Sequence, residues 1–427
     1  MYKLLLLPLL VFGLFSGCST SNTPDAVVVK QEPMYVDENT LILFALDAET
    51  RNNSAEAVGY YDLLYKRTKD PVYEEHAMRA LVKGGYYNDV VNRLDTKRSE
   101  KVVLSEQEVR YLIVALLAKK EMARAHSEAV ALVAAYPTEQ NYMMLAEVYR
   151  TQKQFIKALA TLDLAYKLDY SEQVLDKISV IIYTNMNSPY QAISRIEEHA
   201  KHFGYSLLLT KRLAAFYGDQ RDEEGLLKTY EHLYTLEPSK KNADVLIQLY
   251  WNTEKITELT LFLEKTGSND ALLFKLYSNS KNYTKGIVVA TRLYEETGEL
   301  EYLGQKAIFE YESAKDRSDK ELLDSVISDL RKVVSVKEDG NYLNYLGYCM
   351  IEHDRNVTEG IAYVKRALII EPDSGYFIDS LAWGYYKQGA CQKADELMQQ
   401  VVKLLGADDP EVKAHVKAIN SCLKRKK

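Results

Sequence analysis

The sequence is short of the residues that interrupt helices, with 19 glycines and 9 prolines in 427 positions. That scarcity excludes collagen-like and low-complexity classes and leaves room for long helical runs. Four cysteines are too few to act as a disulfide framework for a chain of this size. The longest apolar run, Leu4–Phe15, falls short of the roughly 20 residues a membrane-spanning helix needs. A formal net charge of −7 and the lack of a basic stripe argue against a nucleic-acid partner. The chain has no His-Glu-x-x-His, no phosphate-cradling glycine loop and no Gly-x-Ser-x-Gly elbow. His199 and His202 stand three apart with only Glu197 and Glu198 beside them, and read as packing or solvated residues. We therefore expect no enzyme, no metal and no cofactor.

What is present is a period. Gly340–Asp373 and Ser374–Asp408 are two successive units of about 34 residues, the length of a helix–turn–helix repeat. Leu346-Gly347, Gly360, Val364, Ala367 and Pro372 mark the first; Leu381-Ala382, Tyr385, Gly389, Ala394, Met398 and Val401 mark the second. Small residues let two helix backbones approach while large ones fill the space beside them. Projected backwards, the same template finds about eleven units over residues 37–408. It is sharpest at Tyr142, Leu145-Ala146, Tyr149, Phe155, Ala158, Leu162 and Ala165. The fifth unit carries Pro189, the seventh (about 240–266) is short, and the ninth contains the long polar segment Ser313–Lys320. Such units bury their apolar faces only by stacking on copies of themselves. They resemble tetratricopeptide repeats (TPRs), so the expected fold is an all-α solenoid, a right-handed superhelix. Residues 409–427 are expected to add a capping helix and a basic tail.

The N-terminus is read separately. Lys3, the apolar run Leu4–Phe15 and then Ser16-Gly17 make residues 1–17 a secretory signal. Phe15-Ser16-Gly17-Cys18 resembles a bacterial lipobox, with Phe15 where that family prefers Leu, Val or Ile. The resemblance implies that Cys18 is lipidated and begins the mature chain. Ser19, in place of an inner-membrane-retaining Asp, implies the outer membrane. Residues 18–36, with Pro24 and Pro33, read as a polar tether. Removing residues 1–17 takes away Lys3 and moves the formal charge from −7 to −8.

The stretches FALDAETRNNSAEAVGYYDLLYKRTKDP and EGIAYVKRALIIEPDSGYFIDSLAWGYYKQG, together with lipobox and tether, look like proteobacterial TPR lipoproteins of the outer membrane. Some of that family are adaptors for a periplasmic processing protease and its cell-wall hydrolase substrates. The resemblance implies a non-enzymatic, lipid-anchored scaffold on the periplasmic face of the outer membrane, with such proteins as partners. The alternative is an assembly factor for a pilus, secretion or flagellar machine. In this repeat family the second, fifth, ninth, twelfth and thirteenth positions of the first helix line the concave groove. That places Asn341, Asn344, Tyr348, Tyr376, Asp379, Trp383, Tyr386, Lys387 and Trp251 in a protein-binding groove; the bland alternative is a set of ordinary, partly exposed side chains. Tyrosine is abundant, 33 against 10 phenylalanines and 2 tryptophans, and most tyrosines fall at packing positions of the template.

In an oxidising periplasm the remaining cysteines can pair. Cys391 opens the second helix of the last unit and Cys422 lies near the end of the final helix. Two antiparallel helices joined near Gly406–Asp409 bring these residues level at 1.5 Å per residue, which predicts a Cys391–Cys422 bridge. The alternative is a pair of buried free thiols. Cys349 is left as a small apolar filler.

Overall fold

A computed structural model of the chain describes residues 36–425. The expected signal segment 1–17, the expected lipid-attachment residue Cys18, almost all of the expected tether, and Lys426 and Lys427 lie outside the described residues. Among the described residues, regular structure consists of twenty-three α-helices and one π-helical turn. None of these helices is long and apolar enough to cross a membrane. The chain divides at Pro238 and Ser239 into two compact units.

The first unit contains α1 (Glu38–Thr50), α2 (Ser54–Thr68), α3 (Pro71–Gly84), α4 (Tyr87–Ser99), α5 (Glu106–Ala118) and α6 (Met122–Ala135). It continues with α7 (Glu139–Thr151), α8 (Phe155–Asp169), α9 (Glu172–Val180), α10 (Pro189–Phe203), α11 (Leu207–Gln220) and α12 (Glu223–Leu236). Each helix packs on the next in the chain, which makes the unit a stack of antiparallel pairs. The first helix of each pair in this unit starts on a side-chain cap, except α9. Asp37 accepts from Thr40, Asp70 precedes Pro71, and Ser105 with Glu108 closes a capping box. Second helices such as α4, α6, α8 and α10 have no side-chain cap; the chain enters them through a tight turn with one residue in the left-handed region. Counting the turns before the side-chain-capped α2 and α12, the left-handed residues are Asn52, Gly85, Lys120, Lys153, Asn187 and Arg221, spaced close to the repeat length. At Lys120 the turn is closed by Lys120 N–H to Leu117 O at 3.0 Å and Glu121 N–H to Leu116 O at 2.9 Å. These bonds satisfy carbonyls that the end of α5 would otherwise leave open.

The core follows the template. Ala57, Ala77, Ala125, Ala129, Ala158 and Ala165 are fully buried where helices cross, with Leu112, Ile113, Leu116 and Leu162 filling the gaps. Arginine–carboxylate pairs tie the second helix of one pair to that of the next. Arg93 meets Asp62 with two bonds of 2.7 and 2.6 Å, Arg124 meets Asp95, and Arg195 meets Asp163. These partly exposed pairs contribute about 0.2–1 kcal/mol each, so they fix register more than they hold the fold. Where the fifth unit blurs in the sequence, α9 ends in the π-helical turn Ile181–Asn185, and Pro189 occupies the tolerated first position of α10.

The second unit contains α13 (Lys240–Asn252), α14 (Ile256–Thr266), α15 (Asp270–Asn279), α16 (Tyr283–Thr297), α17 (Leu300–Ser313) and α18 (Lys320–Val336). Then come α19 (Gly340–Glu352), α20 (Val357–Ile370), α21 (Gly375–Lys387), α22 (Cys391–Leu405) and α23 (Pro410–Arg425). The tightest crossing is α19 on α20. A Cβ on Gly347 would lie 2.7 Å from the Gly360 carbonyl oxygen, and one on Gly360 would lie 2.8 Å from that of Gly347. Backbone meets backbone there, so only glycine fits. Both units are thus all-α stacks of tetratricopeptide-type helix pairs, and the second ends in an unpaired helix, α23, packed on α22 and α21.

Candidate functional site

The second, fifth, ninth, twelfth and thirteenth residues of α13 are Lys241, Asp244, Gln248, Trp251 and Asn252, and every one is exposed. Helical spacing puts them on one stripe, while Ala243, Leu246, Leu249 and Tyr250 on the other side are buried. Trp251 is 53% exposed, which is unusual for an indole. This stripe joins an apolar ring to amides and charges of both signs, the composition that suits a polypeptide ligand.

The corresponding residues of α19 and α21 are placed differently, and here the sequence-based picture is corrected. Asn341 and Tyr376 are exposed, but Asn344, Tyr348, Trp383, Tyr386 and Lys387 are half-buried and Asp379 is only 7% exposed. The cause is α23. It does not merely cover the end of the stack; it turns back over the faces of α19 and α21. Tyr348 Oη donates to Glu411 at 2.7 Å across 63 residues of sequence. His415 Nδ1 lies 3.0 Å from both oxygens of Asp379. A carboxylate only accepts, so that geometry assigns the Nδ1 proton to His415. The Trp383 ring stacks on His415 at 4.1 Å and on Tyr386 at 4.6 Å. Its Nε1–H donates to Glu352, and Lys387 Nζ donates to the Glu352 carbonyl at 2.8 Å and to Asp354 at 3.1 Å. The expected groove residues are therefore engaged by their own chain at this end.

Beneath this layer the tyrosines form a network with carboxylates. Tyr345 donates to Glu312, and Tyr311 shares a hydrogen bond with His353 at 2.9 Å. Burial first, then the neighbouring Glu411 carboxylate, pushes the Tyr348 phenol well above its ordinary value, and Tyr345 is raised in the same way by burial and Glu312. These phenols stay protonated and act as donors. Burial lowers His353 and pushes the Cys349 thiol up to about 12, so Cys349 is an inert filler in the core of α19. Asn344 Oδ1 is buried without a donor among the described residues.

Cys391 and Cys422 form a disulfide, with their Cα atoms 5.8 Å apart. It joins the start of α22 to the last turns of α23. Asp379, Glu411 and His415 also bring ligand atoms within 4.8 Å of one another, the one such cluster among the described residues. The direct Asp379–His415 contact already satisfies both groups. His199 is a packing residue: its Nδ1 meets Tyr166 Oη at 2.7 Å and its ring lies 4.7 Å from Phe203. Sequence reasoning missed Glu411 and His415, the two residues through which α23 occupies the groove. The signal available was their spacing of four, beside a cysteine set to pair with α22.

No protein-family model and no curated protein matches the sequence. Among solved structures the chain is similar to the P58(IPK) TPR domain, at 13% identity and TM-score 0.29 over 75% of this chain and 99% of that one. It is similar to the Cut9–Hcn1 hetero-tetramer of the APC/C, at 8% identity and TM-score 0.39 over 90% and 96%. A third likeness is to yeast Tom70, at 12% identity and TM-score 0.31 over 91% and 96%.

Proposed function

We propose that the chain is a non-enzymatic scaffold that binds protein partners on the exposed faces of its first helices, α13 foremost. The observation that carries this reading is the exposed stripe Lys241, Asp244, Gln248, Trp251 and Asn252. A half-exposed indole among amides and charges is the kind of aromatic anchor that carries much of the binding energy at protein interfaces. In the same proposal Cys18 carries the lipid that holds the chain on the periplasmic face of the outer membrane. The partners are a processing protease, a cell-wall hydrolase, or both. Tethering would keep such partners in a thin layer near the membrane and raise their effective concentration there.

The test is affinity purification of the full lipidated chain from detergent extracts, beside Trp251→Ala and Cys18→Ser. The scaffold reading expects Trp251→Ala to fold normally and lose a defined partner, and Cys18→Ser to leave the membrane fraction. Recovery of the same partners at the same yield from Trp251→Ala would refute the α13 face. Loss of motility or secretion on deletion, with the wall unaltered, would favour the envelope-machine alternative. Trp383 is unsuited to the purpose, because its ring is packed between Tyr386 and His415.

A further inference from the structure

At the end of the second unit, α23 lies against α19 and α21. On α23 the residues Glu411 and His415, four apart, point to α19 and α21, while buried Val412 and Ile419 pack in the apolar cluster with Met398 and Val401 of α22. Its polar and aromatic contacts to the face are one Tyr–Glu bond, one imidazole–carboxylate pair and one ring stack, and the cluster that holds Val412 and Ile419 also takes in Ile378 and Ala382 of α21. The outer side of α23 is solvated, with Lys413, Ala414, Lys417 and Asn420 exposed. The connection from α22 is the four-residue stretch 406–409, with Gly406 at φ 88°. The other end is fixed by the Cys391–Cys422 disulfide across a sequence separation of 31.

We propose that α23 is a lid over the aromatic–acidic face of α19 and α21, and that the Cys391–Cys422 disulfide is its clasp. While the clasp is closed, Tyr348, Asp379 and Trp383 are held by their own chain. A dithiol donor opens it by thiol–disulfide exchange. The donor thiolate attacks the sulfur of Cys422, which is half-buried where Cys391 is 3% exposed, and the S–S bond breaks with Cys391 as the leaving thiolate. The second donor thiol resolves the mixed disulfide, so the donor leaves oxidised and the two cysteines keep two electrons and two protons. Undocking of α23 then exposes a buried carboxylate, a phenol donor and an indole face. A segment that replaces α23 must present a carboxylate to Tyr348 and, one helical turn on, a donor to Asp379. It is an amphipathic helix of the same chemistry as the lid. This inference rests on the scaffold reading only for what binds once the lid is open; the lid itself is tested without any partner.

The experiment is hydrogen exchange on the full mature chain, read by mass spectrometry, in three states: oxidised, reduced with dithiothreitol, and Cys391→Ser/Cys422→Ser. Removing a cross-link that closes a loop of this length raises the open population by roughly a hundredfold or more. Amides of 410–425 are expected to exchange faster by about that factor in both the reduced and the serine forms, with α19, α21 and α22 protected as before. Unchanged exchange in 410–425 would overturn the clasp. Equal acceleration across α19–α22 would overturn the lid, because the bridge would then be holding the whole unit together. Opening of the lid with no partner captured by any form would sink the scaffold reading and leave the lid standing.

Discussion

Substituting Gly347 with alanine isolates the contact on which the α19–α20 pairing depends. The added Cβ would sit 2.7 Å from the Gly360 carbonyl oxygen, 2.6 Å from Val364 Cγ2 and 3.1 Å from Val364 N. Two of these three atoms are backbone, so relief requires the helices to separate by several tenths of an ångström along a crossing that buries Leu343, Leu346, Met350 and Val364. Overpacking of this kind costs about 1–3 kcal/mol. Alanine in place of a mid-helix glycine returns up to about 1 kcal/mol in helix propensity. The net loss is about 2 kcal/mol at the upper end of the strain, or about 4–8 °C in melting temperature for a unit of this size. Both tryptophans, Trp251 and Trp383, lie in the second unit, so their emission follows its melting without signal from the first. Gly218 supplies the control: its Cβ would meet nothing within 4 Å and its φ is not positive, so Gly218→Ala should raise the far-UV CD melt of the first unit slightly. A Gly347→Ala variant that melts at or above the parent temperature would show that the backbones do not meet and would refute the reasoning.

Three further outcomes follow from other contacts. His415→Ala strips the buried Asp379 carboxylate of its donor and should lower stability by about 2–4 kcal/mol, whereas Asp379→Leu/His415→Leu should recover most of the loss. Urea unfolding in a Trp251→Phe background, where Trp383 alone reports, measures both; equal midpoints for parent and His415→Ala would contradict a buried pair. Burial holds the His199 imidazole below its ordinary pKa of 6.5 in the folded state, so the unfolded chain takes up the proton first. Stability is therefore full above pH 6.5 and falls as the pH drops below it. The parent should melt progressively lower on going from pH 7.5 to 5.5, and His199→Phe should flatten that slope. A slope unchanged by the substitution would place the titration elsewhere. Cys349→Ala, a loss of one buried sulfur without a partner, should cost about 1 kcal/mol and leave the thiol–disulfide behaviour of the lid untouched, which thiol counting on the intact protein checks.

The repeat was legible because each helix pair packs mainly on its neighbours, so the constraints on Leu346-Gly347 or Leu145-Ala146 recur at one spacing along the chain. The irregular pairs were legible for the same reason: Pro189 and the segment Ser313–Lys320 break the spacing where α10 begins and where α17 gives way to α18. The faces of α19 and α21 were not legible. A template that counts positions within a repeat assigns Tyr348, Asp379 and Trp383 to an open groove because it has no knowledge of a helix outside the series. The bond from Tyr348 to Glu411 spans 63 residues and has no counterpart elsewhere in the period among the described residues. Trp251 differs only in that no helix of its own unit folds over it, which its own sequence neighbourhood does not reveal.

Ten of the eleven turns inside helix pairs, from Asn52 to Gly389, carry one left-handed residue, and only the connection between α17 and α18 does without. Those ten are closed to change in length, since an added residue would rotate the following helix off its neighbour. The 314–319 connection obeys no such rule and is largely solvated. It is the natural port for splicing in a fluorescent domain or an affinity handle between Lys315 and Asp316, leaving the phase of every other pair as it stands.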